Sequence, residues 1–223
     1  MATSGSSDFE LAVDDYIEEA FERCGLEVRT GYDLKTAKRS LNLMFADWAN
    51  RGLNRWTITQ TSISLSQGTN EYTLDADTID ILSAVIRENA GSSNQLDTTV
   101  NRIGRDTYLN LSSKLSQSRP TQYYIDRQIT PKVRVFPTPN TTYTLVVDRL
   151  TRIEDADAIT NTVDVPFRFY PCLAAGLAYY LSIKKAPDRI QILKAIYDEE
   201  FDRAATEDRD RTNLKLLPYE RYV

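Results

Sequence analysis

Adjacent carboxylates are residues whose types could do acid/base chemistry, and three pairs are the candidates in this sequence. They are Asp14/Asp15, Glu18/Glu19 and Glu199/Glu200. Two carboxylates can hydrolyse a glycosidic bond when an apolar pocket raises the pKa of one of them. Each pair here falls on the polar side of a predicted amphipathic helix, where water surrounds the side chains. We therefore favour solvated helix faces, and a hydrolase with paired carboxylates stays the alternative.

Other catalytic chemistry is limited by composition. The 223 residues include no histidine and two cysteines, Cys24 and Cys172. Without histidine, Ser-His-Asp and Cys-His catalysis are excluded, and two cysteines cannot form a Cys₄ zinc site. Each cysteine lies among apolar residues, which favours a buried thiol over a disulfide or a nucleophile. Gly68, Gly91 and Gly104 are isolated, so no phosphate-binding loop is expected. The sequence predicts a protein that is not an enzyme, with no cofactor and no metal.

The charge argues against recruitment by nucleic acid or by an anionic membrane. The formal net charge is -5, and the densest basic spot is Lys184, Lys185 and Arg189. A helix C-terminus attracts cations in any case, so a nucleic-acid site there is the weaker interpretation. There is no apolar run near twenty residues and no signal-peptide pattern, so we expect a soluble protein that is not exported by those routes.

Amphipathic periodicity predicts two helices before residue 56 and two after residue 150. They run from about Asp8 to Cys24, from about Asp33 to Asn50, from about Pro166 to Pro187, and from Asp188 to the charged run TEDRDR. Ser7 and Glu10 have capping-box spacing, and Gly25 is a natural stop. Pro171 either kinks the third helix or lies in its first turn. TEDRDR is expected to be too polar to bury, and so to end the helical core.

Between the helices the pattern changes to strands. Strands are expected on both sides of residues 67–70 and over DILSAVIREN, with a short helix from Arg105 to Leu115. Val133 and Val135 alternate with cations, and a second alternating run follows around Leu145, after a turn that contains Pro137. We expect these two runs to pair as a β-hairpin.

The predicted fold class is α+β: a helical bundle of two N-terminal and two C-terminal helices, with a β-rich insertion and an extended C-terminal tail. The predicted segments are residues 1–55, 56–150, 151–207 and 208–223. Tyrosine pairs occur at residues 123–124 and 179–180. They suit an interface or ordinary core packing equally well.

The C-terminal tail is unusually apolar. Its large apolar side chains are Leu214, Leu216, Leu217, Tyr219, Tyr222 and Val223, and Pro218 prevents a simple helix. A terminal segment of this composition is expected to bind a partner. The alternative is that it folds back onto its own bundle.

These segments, in this order, resemble the head-to-tail adaptors of short-tailed bacteriophages, the tail-tubular and DNA-stabilisation proteins beneath the portal. The matching stretches are LNLMFADWANRGLNRWT, NEYTLDADTIDILSAVIRE, RPTQYYIDRQITPKVRVFPTPNTTYTLVV and VPFRFYPCLAAGLAYYLSIKKAPDRIQILKAIYDEEFDRAATEDRD. The resemblance covers roughly residues 9 to 210.

The resemblance implies a virion protein, assembled in the host cytoplasm as a homo-oligomeric ring of twelve copies. One side of the ring docks on the portal protein and the other receives the tail nozzle protein, while DNA passes through the lumen. The portal contact falls on residues 208–223, with Leu214, Leu216, Leu217, Tyr219 and Tyr222 as anchors. Besides the hydrolase, the alternative is a neighbouring nozzle or head-completion protein, which stoichiometry would distinguish.

Overall fold

The chain divides into a helical unit and a β-rich unit. The computed structural model describes residue 5 and residues 11–51, 55–158 and 160–209. The helical unit comes from both ends of the chain, up to Ser40 and from Pro166 onward, and the β-rich unit spans Leu41–Val165. The predicted α+β fold class is confirmed. The predicted insertion, residues 56–150, lies inside the β-rich unit, and the four-segment division stays a prediction.

The described residues contain five α-helices. They are α1 (Val13–Arg23), α2 (Gly31–Asn50), α3 (Arg105–Asn110), α4 (Tyr170–Lys185) and α5 (Ile190–Glu207). The first part of α2, up to Ser40, belongs to the helical unit, and the part from Leu41 belongs to the β-rich unit.

Helix α1 is amphipathic as predicted, with Val13, Ile17 and Phe21 buried at four-residue intervals. Its first turn is capped by Asp15, whose carboxylate accepts the Ala12 N–H at 2.9 Å. The predicted start near Asp8, with the capping box of Ser7 and Glu10, lies outside the described residues.

Gly25 ends α1 as predicted. It adopts φ +71, its N–H donates to the Glu22 carbonyl at 2.8 Å, and the Leu26 N–H donates to the Phe21 carbonyl at 2.9 Å. This pair of hydrogen bonds is the Schellman motif, which needs a left-handed residue that glycine adopts without steric cost.

Helix α4 is the centre of the helical unit and packs against α1 and α5. Its buried residues cover most of its circumference: Cys172, Leu173, Ala174, Ala175, Gly176, Leu177, Ala178, Leu181 and Ser182. The helix begins at Tyr170, so Pro171 lies in its first turn, where a missing N–H costs nothing. A single bundle of all four predicted helices stays a prediction.

The β-rich unit contains the ten strands of the described chain. They are β1 (Ile58–Leu65), β2 (Glu71–Thr73), β3 (Thr78–Glu88), β4 (Leu96–Thr99), β5 (Asn101–Arg102), β6 (Gln117–Ser118), β7 (Gln122–Asp126), β8 (Lys132–Phe136), β9 (Thr138–Pro139) and β10 (Tyr143–Thr151). They form two four-stranded sheets, in the orders β1-β10-β3-β4 and β2-β8-β7-β5, and the parallel pair β6-β9.

Side chains of both large sheets build one core. Its members include Leu65, Ile81, Ile86, Tyr123, Ile125, Val133, Val135, Leu145 and Val147. In the register of the sheets, Ile86 lies opposite Leu145 on β3 and β10, and Tyr123 lies opposite Val135 on β7 and β8. These apolar pairs are the positions that the period-2 pattern predicts to face inward.

The predicted pairing of the two alternating runs is wrong. The run around Val133 forms β8, which pairs with β7 and β2, whereas the run around Leu145 forms β10, which pairs with β1 and β3. Leu145, Val146 and Val147 are consecutive and all buried, so β10 is covered on both faces and is a central strand. The proline-containing segment between them carries the chain from one sheet to the other through β9, instead of turning it back on itself.

Helix α3 is shorter than predicted and ends at Asn110 instead of Leu115. Leu111 is already extended, with φ -63 and ψ 123. The ammonium of Lys114 donates to the carbonyls of Leu109 at 2.8 Å and Leu111 at 2.9 Å, so a side chain satisfies the carbonyls that a further helical turn would have used.

Candidate functional site

The carboxylate pairs lie on solvent-facing sides of α1 and α5. Asp15, Glu18, Glu19 and Glu199 are exposed, and Asp14 and Glu200 are partly exposed. Glu19 pairs with Arg23 at 2.7 Å, and Glu199 pairs with Arg203 at 2.9 Å. These carboxylates hold cations on their own helices, which is ordinary stabilisation of a helix surface.

Both cysteines are buried thiols, as predicted. The Cys24 thiol donates to the Ala178 carbonyl of α4 at 3.3 Å. Burial raises the pKa of Cys24, against the opposing effect of Arg189. A buried thiol with a raised pKa is a poor nucleophile, because the thiolate is the reactive form.

The three cations of the densest basic spot of the sequence form hydrogen bonds and an ion pair within the helical unit. Lys184 donates to the Ser40 hydroxyl at 2.7 Å, and Lys185 forms an ion pair with Asp33. That hydrogen bond from Lys185, together with one from Thr30, lowers the pKa of Asp33 to about 2. The third cation, Arg189, donates to the Arg23 carbonyl at 3.0 Å. These contacts tie α1 and the start of α2 to the C-terminal helices.

The tyrosine pairs make contacts within the chain. Tyr123 is buried in the core of the β-rich unit, and Tyr124 stacks on Tyr108 with ring centroids 5.5 Å apart. Tyr179 stacks on Tyr197 at 5.9 Å. For these three tyrosines, core packing is the better of the two interpretations.

The five predicted anchors, Leu214, Leu216, Leu217, Tyr219 and Tyr222, lie outside the described residues. The described chain ends at Arg209, and the residue before it corrects one expectation. Asp208 belongs to the charged run that was expected to end the helical core, yet it is buried. Arg168 explains this, because its Nε donates to the Asp208 carboxylate at 3.0 Å, and a paired carboxylate can be buried.

An apolar groove lies between α1 and the start of α4, and sequence reasoning missed it. Its volume is about 530 Å³. The walls are mostly Leu11, Tyr16, Phe167, Tyr170 and Pro171. Phe167 is 68 % exposed and Leu11 is 40 % exposed, although both are large apolar side chains. Contiguous exposed apolar surface of this kind marks binding sites.

Charged side chains stand at the edge of this groove. Asp15, Glu19 and Arg23 all project from α1, and Arg23 neutralises Glu19. The edge therefore carries one net negative charge. An occupant with apolar side chains and a nearby cation would match it.

Tyr16, a wall residue of the groove, has a buried hydroxyl. Tyr16 is 2 % exposed, and its hydroxyl has no hydrogen-bond partner among the residues described. Burial raises its pKa well above the usual range, with smaller contributions from Tyr170 and Asp15. A buried hydroxyl without a hydrogen-bond partner among the described residues costs free energy.

Helix α5 carries a second exposed apolar surface. Ile192 is 66 % exposed and Ile196 is 41 % exposed. These two residues form what we call the isoleucine ridge. Ile192 and Ile196 are four positions apart on one helix, which is the spacing of a contact surface.

The β-rich unit has its own exposed apolar residues. Ile129, in the turn between β7 and β8, is 91 % exposed, and Leu109 and Leu115 are also exposed. A singly exposed apolar side chain is common on protein surfaces, so Ile129 by itself does not mark an interface.

No group of three or more histidine, cysteine, aspartate or glutamate side chains in the described ranges is placed to hold a metal ion. Of the helices described, none has both the length and the apolar character needed to cross a membrane.

Comparison with known proteins gives one result. No curated protein matches the sequence. The family model described as SU10 adaptor protein matches residues 9–217, nearly the same span as the resemblance to phage head-to-tail adaptors, which is thereby confirmed. Because that match covers most of the sequence, the chain belongs to the SU10 adaptor protein family.

Proposed function

We propose that the chain is a structural subunit of a phage virion at the head-to-tail junction. In this proposal twelve copies form a ring between the portal and the tail nozzle, and the genome passes through its lumen. The observation that carries the proposal is the family match over residues 9–217. An adaptor acts by holding two other proteins together, so its functional parts are surfaces.

The exposed apolar residues support assembly into a ring. A closed ring requires heterologous contacts, in which one surface of a subunit meets a different surface of its neighbour. The isoleucine ridge is a suitable contribution to such a contact, because Ile192 and Ile196 leave apolar area in water that a neighbour would cover.

Passage of DNA fits the charge of the chain. A conduit should not hold the phosphates that slide through it, and the net charge is -5. The basic spot is occupied by its own contacts, since Lys185 pairs with Asp33 and Lys184 donates to Ser40. We expect weak contact with duplex DNA that does not depend on sequence.

Attachment to the portal is assigned to residues 208–223. Burying four of the large apolar side chains of this tail on a partner could contribute about 6 to 10 kcal/mol before costs. Ordering some ten residues offsets most of that gain, so one tail alone binds weakly. A ring compensates, because each docked copy raises the effective concentration of the next tail.

The proposal assigns no catalytic role to the chain. The three candidate carboxylate pairs face solvent or hold cations such as Arg23 and Arg203. A tail-associated hydrolase would instead need one carboxylate in an apolar pocket. Release of soluble fragments from purified cell walls, abolished by changing Asp14 or Glu199, would overturn the non-enzyme assignment.

Electron microscopy of the protein mixed with its portal tests the proposal. We expect a ring of twelve copies on one face of the portal. Ile192→Ser should weaken the ring, because it removes an exposed apolar side chain without disturbing the core. Ser62→Ala, a change of a β1 residue, is the matched control and should leave the ring intact. Binding of one or a few copies per portal would instead favour a nozzle or head-completion protein.

A further inference from the structure

The described chain ends beside the apolar groove. Arg168 holds Asp208 at the end of α5, and the residue before Arg168 is Phe167, which forms a wall of the groove. A second depression, lined by Arg168, Glu207 and other α5 residues, shares Pro171 with the groove. The last described residues of the chain therefore lie near the groove.

The sequence of the segment that follows Arg209 suits the groove. Residues 210–223 read DRTNLKLLPYERYV, with three leucines close together and Lys215 between two of them. The groove offers apolar walls and an edge with one net negative charge from Asp15, Glu19 and Arg23. Leucines fit the walls, and a lysine fits the edge.

We propose that the groove between α1 and α4 binds the apolar part of the chain's own C-terminal tail, residues 214–217. The pair formed by Asp208 and Arg168 starts the tail in the right place, and the tail covers Phe167 and Leu11.

The length of the connection favours the same chain over a second copy. Phe167 and Arg168 are neighbours, so their Cα atoms lie about 3.8 Å apart. Five residues lead from Arg209 to Leu214, and an extended chain spans roughly 3.3 Å or more per residue. The tail therefore reaches the groove with slack, and its tether gives it a high effective concentration there.

This inference concerns the chain alone and does not depend on attachment to the portal. If the portal also binds residues 214–223, it must compete with the groove. The tail would then be held back until the portal is present.

Disulfide trapping in the full-length chain tests the inference. Cysteine is introduced at Glu19, on the edge of the groove, together with cysteine at Leu214, Leu216 or Leu217. Glu18→Cys is the matched control, because Glu18 is the adjacent residue of α1 and is also exposed but does not line the groove. The native thiols of Cys24 and Cys172 are buried, and single-cysteine variants measure their background.

We expect Glu19→Cys to form an intrachain disulfide with at least one tail position about tenfold faster than Glu18→Cys. The rate should not change on dilution, and peptide mass spectrometry should identify the pair. Phe167→Ser should slow the reaction severalfold while the helical circular-dichroism signal is unchanged, since Phe167 is exposed. Equal rates at Glu18 and Glu19, or interchain disulfides as the main product, would overturn the inference.

Discussion

Gly25, at the end of α1, lies against the guanidinium of Arg189. It has φ +71, and a Cβ atom there would lie 2.7 Å from Nη2 of Arg189. Gly25→Ala should lower the free energy of unfolding by about 1 to 2 kcal/mol, because a left-handed alanine is strained and Arg189 must move. Urea unfolding followed by circular dichroism measures this change.

Gly91 supplies the control for that prediction. It has φ +78, and a Cβ atom at this position would meet nothing within 4 Å. Gly91→Ala therefore measures the backbone strain alone, and the excess cost of Gly25→Ala reports the displacement of Arg189. Equal costs would show that the guanidinium moves aside freely and that its hydrogen bond to the Arg23 carbonyl contributes little.

Asp33 should make part of the stability depend on acid pH. Lys185 and Thr30 lower its pKa from 3.8 to about 2, so the folded state favours the carboxylate. The stabilisation is complete above the unfolded pKa of about 4 and is lost as the pH falls towards about 2. Asp33→Asn should remove it: thermal midpoints of variant and wild type should differ at about pH 6 and converge near pH 2. Asp198→Asn, at an exposed α5 position, should shift the midpoint little at either pH.

At the scale of elements, the sequence predicts which helices have one apolar face, but it does not predict which strands pair with each other. Helices α1 and α2 each have one apolar stripe. Apolar residues at four-residue intervals, such as Val13, Ile17 and Phe21, indicate an amphipathic helix that buries this face. Strands β8 and β10 also have recognisable patterns, but alternation tells which face is buried and not which strand lies alongside. Leu145, Val146 and Val147 are three consecutive apolar residues, and the strand they form is buried on both faces. An uninterrupted apolar run of this kind is the sequence sign of a central strand.

Contacts between distant segments were not predictable. The apolar groove combines Leu11 and Tyr16 with Phe167 and Pro171, and no local pattern connects residues so far apart in sequence. Asp208 was misjudged for the same reason, since its burial depends on Arg168. The apolar groove therefore results from the packing of α1 on α4, and the sequence of either helix alone does not predict it.

Arg149 is the polar centre of the β10 sheet. It is 8 % exposed, and its guanidinium donates to Thr61 at 2.9 Å and Thr78 at 2.8 Å and pairs with Asp75 at 2.9 Å. Arg149→Met should lower the free energy of unfolding by about 1 to 3 kcal/mol, because the buried Thr78 hydroxyl and the partly buried Thr61 hydroxyl lose their donor, while the exposed carboxylates return to water. Urea unfolding measures the loss.

Arg87 of β3 is the matched control for Arg149. It pairs with Asp97 at 2.7 Å on the surface of the same sheet. Arg87→Met should cost less than about 1 kcal/mol, as is usual for solvent-exposed ion pairs. A cost for Arg149→Met no larger than this would mean that the buried hydrogen bonds contribute nothing beyond a surface pair.

For the molecule as a whole, we expect the tail to be needed for attachment to the portal and not for folding. Deleting residues 214–223 should leave the helical circular-dichroism signal unchanged, because the core around α4 is complete without it. The same deletion should abolish stable attachment to the portal, measured by co-sedimentation of the two proteins. Loss of the helical signal would place the tail in the core, and normal attachment would place the anchor elsewhere.

The origin of the helical unit from both ends of the chain has a consequence for biosynthesis. Helix α1 leaves the ribosome early, but α4, against which it packs, follows only after the whole β-rich unit has been translated. During that interval the apolar side of α1, with Ile17 and Phe21, has no α4 to cover it. The β-rich unit can fold first, since its sheets come from one continuous segment. The nascent chain therefore carries an uncovered apolar helix while the β-rich unit is translated, and we expect α1 to need a chaperone during that interval.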